Sequence, residues 1–64
     1  MLTKNNEKIT IGSHVRVYKY FNGIVEGFGK DRNKEKYAFI SWEMKSGYKY
    51  GKFYSEEIIL QWTD

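Results

Sequence analysis

Tyrosines alternate with basic residues in two stretches of the sequence, around residues 16–20 and 48–54. Flat aromatic rings stack on nucleic-acid bases, while Lys and Arg neutralise phosphates or carboxylates, and each base–aromatic stack contributes about 1–3 kcal/mol. The pattern therefore predicts a surface that binds a polyanion or an acidic partner. The predicted binding residues are Arg16, Tyr18, Lys19, Tyr20, Lys45, Tyr48, Lys49, Tyr50, Lys52 and Tyr54.

A purely structural interpretation of these tyrosines competes with the binding one. In a small β-domain, tyrosine rings pack along the sheet and keep their hydroxyls in water, which thickens a core that would otherwise be thin. In the binding interpretation, the stacking role is assigned to Tyr18, Tyr48 and Tyr50. The sequence alone leaves this alternative open.

Residues suited to catalysis are few. His14 is the only histidine, and its alternation with Val15 and Val17 places it on the solvent side of a strand. Glu56 and Glu57 are adjacent, which is typical of first-turn acids that stabilise a helix start rather than of a general acid and base. One imidazole without thiol or carboxylate companions forms neither a metal site nor a catalytic triad. The sequence predicts a protein that is not an enzyme and uses no metal or cofactor.

The composition indicates one small folded domain. The 64 residues include 41% hydrophobic and 30% charged side chains, which is enough apolar content for a core but too little chain for a second domain. There is no cysteine, which favours a cytoplasmic location. No window approaches the roughly 18 apolar residues that a membrane span requires, so no membrane association is expected.

Positive charge is concentrated in residues 1–52. The formal net charge is +3, but all eleven Lys and Arg precede residue 53, whereas Glu56, Glu57 and Asp64 lie near the C-terminal end. Such a distribution favours polyanions or acidic proteins as partners. The net charge is too small to favour strong binding to duplexes, where basic excess is usually larger.

Hydrophobic alternation predicts five short strands, which must position these side chains. The strands are expected at residues 14–20, 24–28, 37–42, 48–54 and 58–62. Alternation places Arg16, Tyr18 and Tyr20 on one face of the first strand. One face of the fourth strand is expected to carry Tyr48, Tyr50, Lys52 and Tyr54. Turns are expected at 21–23 and 45–47, an exposed loop at 29–36, and a helical turn at 55–57 with the Ser55 hydroxyl at its cap. Gly27 and Gly29 predict a bulge or bend. The predicted core is Val15, Val17, Val25, Ala38, Ile40, Phe53, Ile58 and Leu60.

The chain resembles the SH3-like small-barrel superfamily, and within it KOW-like and Tudor-like modules. The resemblance covers roughly residues 11–61 and rests on four stretches: 11–17, 22–27, 37–43 and 53–60. It implies an all-β fold, a small five-stranded SH3-like barrel with a single helical turn before the last strand. Residues 1–10 are then a polar N-terminal tail or loosely paired strand, and residues 11–64 the barrel.

Three narrower likenesses imply different functions. Residues 23–25 resemble the G-x-V stretch that KOW-like modules use for contacts with nucleic acid or protein. The entry at residues 12–17 is similar to that of the small barrel subunits of cyanobacterial photosystem I, although their tyrosine–tryptophan signature is missing. The barrel also resembles plasmid-borne type II dihydrofolate reductase. Tyr54 matches a tyrosine of that enzyme, but in this chain residues 51–54 stand in place of the enzyme's active-site run. No specific family is assigned.

Two functions from different classes lead. The first is a non-catalytic module that contacts RNA or DNA through the basic, tyrosine-rich surface. The alternative is a protein–protein interaction module, an accessory subunit or inhibitor, that docks an acidic partner with the same surface. A small oligomeric enzyme with a pore between barrels is a third hypothesis, and sedimentation as a monomer, the expected state, would remove it.

Overall fold

The computed structural model describes residues 1–63 and is all-β. Five antiparallel strands form one sheet in the order β4-β3-β2-β1-β5. A 3-10 turn, Ser55–Glu57, precedes the last strand. The strands are β1 (His14–Val17), β2 (Phe21–Lys30), β3 (Lys36–Met44), β4 (Gly47–Tyr54) and β5 (Ile58–Trp62).

The sheet of residues 1–63 is open, with β4 at one edge and β5 at the other. The predicted five strands and helical turn are thus confirmed, whereas closure into a barrel is not observed. The Glu57 side chain, rather than the expected Ser55 hydroxyl, caps the 3-10 turn. Its Oε1 accepts a hydrogen bond from the backbone N–H of Tyr54 at 3.0 Å.

One face of the sheet carries the hydrophobic core. Six of the eight predicted core residues are fully buried, while Phe53 and Leu60 are half-buried and pack against them. Sequence analysis missed Ile9, which is also completely buried. The fully buried apolar side chains are Ile9, Val15, Val17, Val25, Ala38, Ile40 and Ile58.

The N-terminal segment, residues 1–10, folds back on itself and packs against this core. An isolated bridge joins Leu2 to Lys8, and the N–H of Ile9 donates to the carbonyl of Met1 at 2.9 Å. The Glu7 carboxylate accepts a hydrogen bond from the backbone N–H of Leu60 at 3.4 Å, and so contacts the β5 edge. The segment therefore belongs to the folded unit.

The first turn lies three residues earlier than predicted. β1 ends at Val17 and the turn is residues 18–20, because Tyr18 adopts a positive φ of 46° and the N–H of Tyr20 donates to the carbonyl of Val17 at 2.9 Å. Phe21 begins β2 instead of a turn, since its ring stacks on Trp42 with centroids 4.0 Å apart. Ring packing thus outweighs the turn preference of the Asn-Gly pair that follows.

Two glycines of β2 allow close packing of the sheet. A Cβ on Gly23 would lie 2.5 Å from the Ser41 carbonyl oxygen and 2.6 Å from Ile40, so no side chain fits there. The Tyr37 ring lies across Gly29, where a Cβ would meet it at about 2.6 Å. The pairing of β2 with β3 shifts register between Val25 and Gly27, which confirms the predicted bulge. β2 continues to Lys30, so the expected loop shortens to residues 31–35.

Candidate nucleic-acid interface

The face of the sheet opposite the core, here called the outer face, is built by cross-strand pairs. Directly paired residues of antiparallel strands lie on the same face, so His14, Ile24, Ser41 and Tyr50 form one row across four strands. The remaining members follow from the same pairing. They are Arg16 and Asn22, the pair Glu43 and Tyr48, Phe39 and Lys52, Tyr37 and Tyr54, and Trp62 opposite His14.

Tyr48, Tyr50 and Lys52 are brought together on the outer face of β4, as the sequence predicts. Tyr48 is 68% exposed and Tyr50 is 67% exposed. The Nζ of Lys52 lies 5.1 Å from the centroid of the Tyr37 ring and 5.7 Å from that of Phe39. A cation at this distance is attracted by the ring faces, which holds the lysine on the sheet beside the two free tyrosine rings.

Tyr54 shares this face but is committed to a structural contact. Its hydroxyl donates to Oδ2 of Asp31 at 2.8 Å, and its half-buried ring packs edge-on against Tyr37. Oδ1 of Asp31 accepts the backbone N–H groups of Asn33 and Glu35 at 2.9 and 3.0 Å. Tyr54 therefore braces the β2–β3 turn, and its hydroxyl is already engaged.

The hydrogen bond between Tyr54 and Asp31 alters both acid–base equilibria. It lowers the pKa of the Asp31 carboxyl, with help from the N–H groups of Glu35 and Asn33. The same hydrogen bond raises the pKa of the Tyr54 phenol, and partial desolvation and the Asp31 charge add to the effect. At neutral pH the pair therefore consists of a phenol donor and a carboxylate acceptor.

Tyr18, Lys19 and Tyr20 form a separate group in the β1–β2 turn. The expectation that Tyr18 and Tyr20 share a strand face with Arg16 is wrong, because the strand ends before them. Their rings tilt against each other with centroids 6.1 Å apart, and Nζ of Lys19 lies 5.7 Å from the Tyr18 ring. Nε of Arg16 donates to the Tyr18 carbonyl at 3.2 Å, which ties the turn to β1.

The two remaining predicted residues lie around β4. Lys45 is exposed in the β3–β4 turn. Lys49 pairs with Trp42, whose ring packs on the core side, so Lys49 belongs to the opposite face from its neighbours Tyr48 and Tyr50. Lys49 is exposed there, on the edge strand, and is not part of the outer face.

A groove crosses the outer face, and sequence analysis did not predict it. The rings of His14 and Trp62 stack with centroids 4.4 Å apart and planes 15° apart on one side. Tyr48 lies on the other side, and the groove has a volume of about 340 Å³. Ser41 and Ile24 line it between the rings, and Asn22, Glu43 and Gln61 add polar groups. These residues are distant in sequence, and only strand pairing brings them together.

The short side chain of Ser41 creates the depth of this groove. Ser41 is only 7% exposed although it lies on the outer face, whereas Tyr50 beside it in the row is largely free. Trp62, 54% exposed, extends the aromatic surface on the β5 side. The groove thus lies between aromatic side chains from the two edge strands.

Across residues 1–63, no group of three or more His, Asp or Glu side chains is arranged to hold a metal ion. No helix within that range is long and apolar enough to cross a bilayer.

Comparisons with known proteins add no relative. No family model matches the chain, and neither the curated proteins nor the solved structures contain a significant match.

Proposed function

We propose that the outer face binds single-stranded nucleic acid without catalysing a reaction on it. The observation that carries the proposal is the exposure of Tyr48, Tyr50 and Trp62 on one face, with Lys52 held over the Tyr37 ring on the same face. Exposed rings offer a stacking surface to unpaired bases, and neighbouring cations neutralise the backbone. A duplex offers no free base faces along its length, which favours a single strand.

The charge around the face supports this choice of ligand. Arg16 and Lys52 lie on the outer face, and Lys45 is exposed in the adjoining β3–β4 turn. Few phosphate contacts of this kind give modest affinity and a measurable salt dependence. An acidic protein would use the same cations and the same exposed rings, since Tyr and Trp also anchor protein interfaces.

We also propose that this sheet belongs to the SH3-like class of small barrels. A five-strand order that returns the last strand to the first, with a 3-10 turn before it, supports an SH3-like barrel. Fold alone does not define function, since such small β-folds serve many. The proposed activity therefore depends on the outer face.

A fluorescence titration tests the proposal. The protein is titrated with short single-stranded DNA and RNA and with a duplex, at several salt concentrations. We expect saturable binding of single strands that weakens as salt rises, and weaker binding of the duplex. Tyr50→Ala should reduce affinity about fivefold or more, whereas Tyr50→Phe, which keeps the ring, should retain it.

Two outcomes would contradict the proposed function. The first is an absence of binding at about 50 mM salt, where phosphate contacts are strong. The second is equal binding by Tyr50→Ala and the unmodified chain, since stacking on this ring is the central contact. Capture of an acidic protein, together with no nucleic-acid binding, would favour the interaction module instead.

A further inference from the structure

The groove on the outer face has the features of a slot for one flat ring. Its volume of about 340 Å³ is at the lower end of the range for small-ligand sites, which is roughly 300–1,000 Å³. The stacked rings of His14 and Trp62 form one side and the Tyr48 ring the other. Ile24 and Ser41 form the floor between them, and the side chain of Ser41 is too short to fill the space.

Glu43 determines which chemistry the slot accepts. It is the cross-strand partner of Tyr48, so the carboxylate and the ring lie side by side on the same face. A ring stacked on Tyr48 would therefore present its edge to Glu43. A carboxylate accepts hydrogen bonds and repels anions, so it favours an amino group and keeps a phosphate out.

Cations are available for the phosphate outside the slot. Asn22 lines the groove and pairs directly with Arg16 on the neighbouring strand. A nucleotide whose base occupies the slot would thus have its backbone beside Arg16. This arrangement suits a base within a strand, because the contacts to base and backbone lie at adjacent positions of the sheet.

We infer that the groove binds one unpaired base of a single strand and prefers a base with an exocyclic amino group, with Glu43 as the acceptor. Cytosine meets this requirement through its N4 amino group, and a carboxylate is a suitable partner for that group. Uracil has the same ring size but carries a carbonyl oxygen there, which the carboxylate repels. The inference rests on the proposed function and adds a base preference to it.

Short oligodeoxycytidine and the matching oligodeoxyuridine test this preference at neutral pH and low salt. We expect the cytidine strand to bind at least about fivefold more tightly. Glu43→Gln should largely abolish the difference, because a glutamine amide can both donate and accept. Glu26→Gln is the matched control, since it removes the same charge from an exposed residue that does not line the groove.

The possible results distinguish a failure of the base preference from a failure of single-strand binding itself. Equal binding of both strands, or a preference that survives Glu43→Gln, would overturn the inference and leave single-strand binding in place. No binding of either strand would overturn both. Cytidine monophosphate is the last probe: weak competition supports recognition within a strand, and competition as effective as that of the oligomer would overturn it.

Discussion

The Tyr54 hydroxyl donates a hydrogen bond of 2.8 Å to the Asp31 carboxylate across 23 positions of sequence. This contact joins the end of β4 to the turn between β2 and β3. Asp31 organises that turn by accepting two backbone N–H groups with its other oxygen. The sheet edge and the turn are therefore coupled through one side-chain pair.

The stability of the protein should depend on pH through this pair. The pKa of Asp31 is lowered from 3.8 on folding, so its contribution is present above that value and is lost as pH falls through the lower folded pKa. The pKa of Tyr54 is raised from 10.0, so its contribution is present below that value and is lost as pH rises through the higher folded pKa. Urea unfolding midpoints across both pH ranges measure the two losses.

Tyr54→Phe isolates the pair from the other titrating groups. The variant should have a lower midpoint at neutral pH, and its difference from the unmodified chain should shrink at both pH extremes. Asp31→Asn keeps one oxygen for the turn but removes the carboxylate that accepts from Tyr54, so it should lose both the acid-side and the base-side dependence of the pair. If the Tyr54→Phe difference were the same at all pH values, the hydrogen bond would not be responsible.

Ile9→Ala should lower the free energy of unfolding by about 2–5 kcal/mol, as expected for a truncated core side chain. The reason is that Ile9 is completely buried although it lies in the N-terminal segment. Chemical denaturation measures the change. Ile11→Ala is the control, since Ile11 is 68% exposed and its truncation should change stability by about 0.5 kcal/mol or less. Equal effects would place the N-terminal segment outside the core.

Gly23→Ala should destabilise the sheet by about 1–3 kcal/mol, because the new methyl group would overlap the Ser41 carbonyl and Ile40. Gly27→Ala is a suitable comparison within the same strand. A Cβ on Gly27 would lie 3.8 Å from the Phe39 ring, which is ordinary contact. Thermal or urea unfolding should therefore separate the two variants, and a larger loss for Gly27→Ala would contradict the packing described here.

Lys52→Gln should reduce the salt dependence of single-strand binding. If Lys52 contacts one phosphate, the slope of log affinity against log salt should decrease by about 0.7. Lys8→Gln removes the same charge from the N-terminal segment and should leave the slope unchanged. Titrations of both variants at several salt concentrations provide the comparison. If Lys52→Gln and Lys8→Gln gave the same slope of log affinity against log salt, a phosphate contact at Lys52 would be excluded.

The sequence predicts the C-terminal half of the fold better than the N-terminal half. The 3-10 turn and β5 begin and end at the predicted residues, since the acids of the turn and the apolar run after it are local signals. The β1–β2 turn is misplaced because the stacking of Phe21 on Trp42 is a contact between distant residues. Ile9 was missed for a similar reason, as its neighbours are polar and its burial depends on the folding back of the chain.

The candidate site was only partly predictable. Alternation correctly placed Tyr48, Tyr50 and Lys52 on one face, because period two is a local property of a strand. The groove is lined by residues of all five strands and required their register, which alternation does not provide. Ser41 illustrates this point, since a small polar residue in an apolar run gives no indication that it will form the floor of a groove.

The position of β4 at the sheet edge has a consequence for how copies of the chain meet. Its free backbone could extend the sheet into a neighbour, but Lys45, Lys49 and Lys52 border it. Lysines at such an edge repel a second copy and so oppose edge-to-edge aggregation. A polyanion that neutralised these charges would remove that repulsion, so colloidal stability should depend on the ionic surroundings.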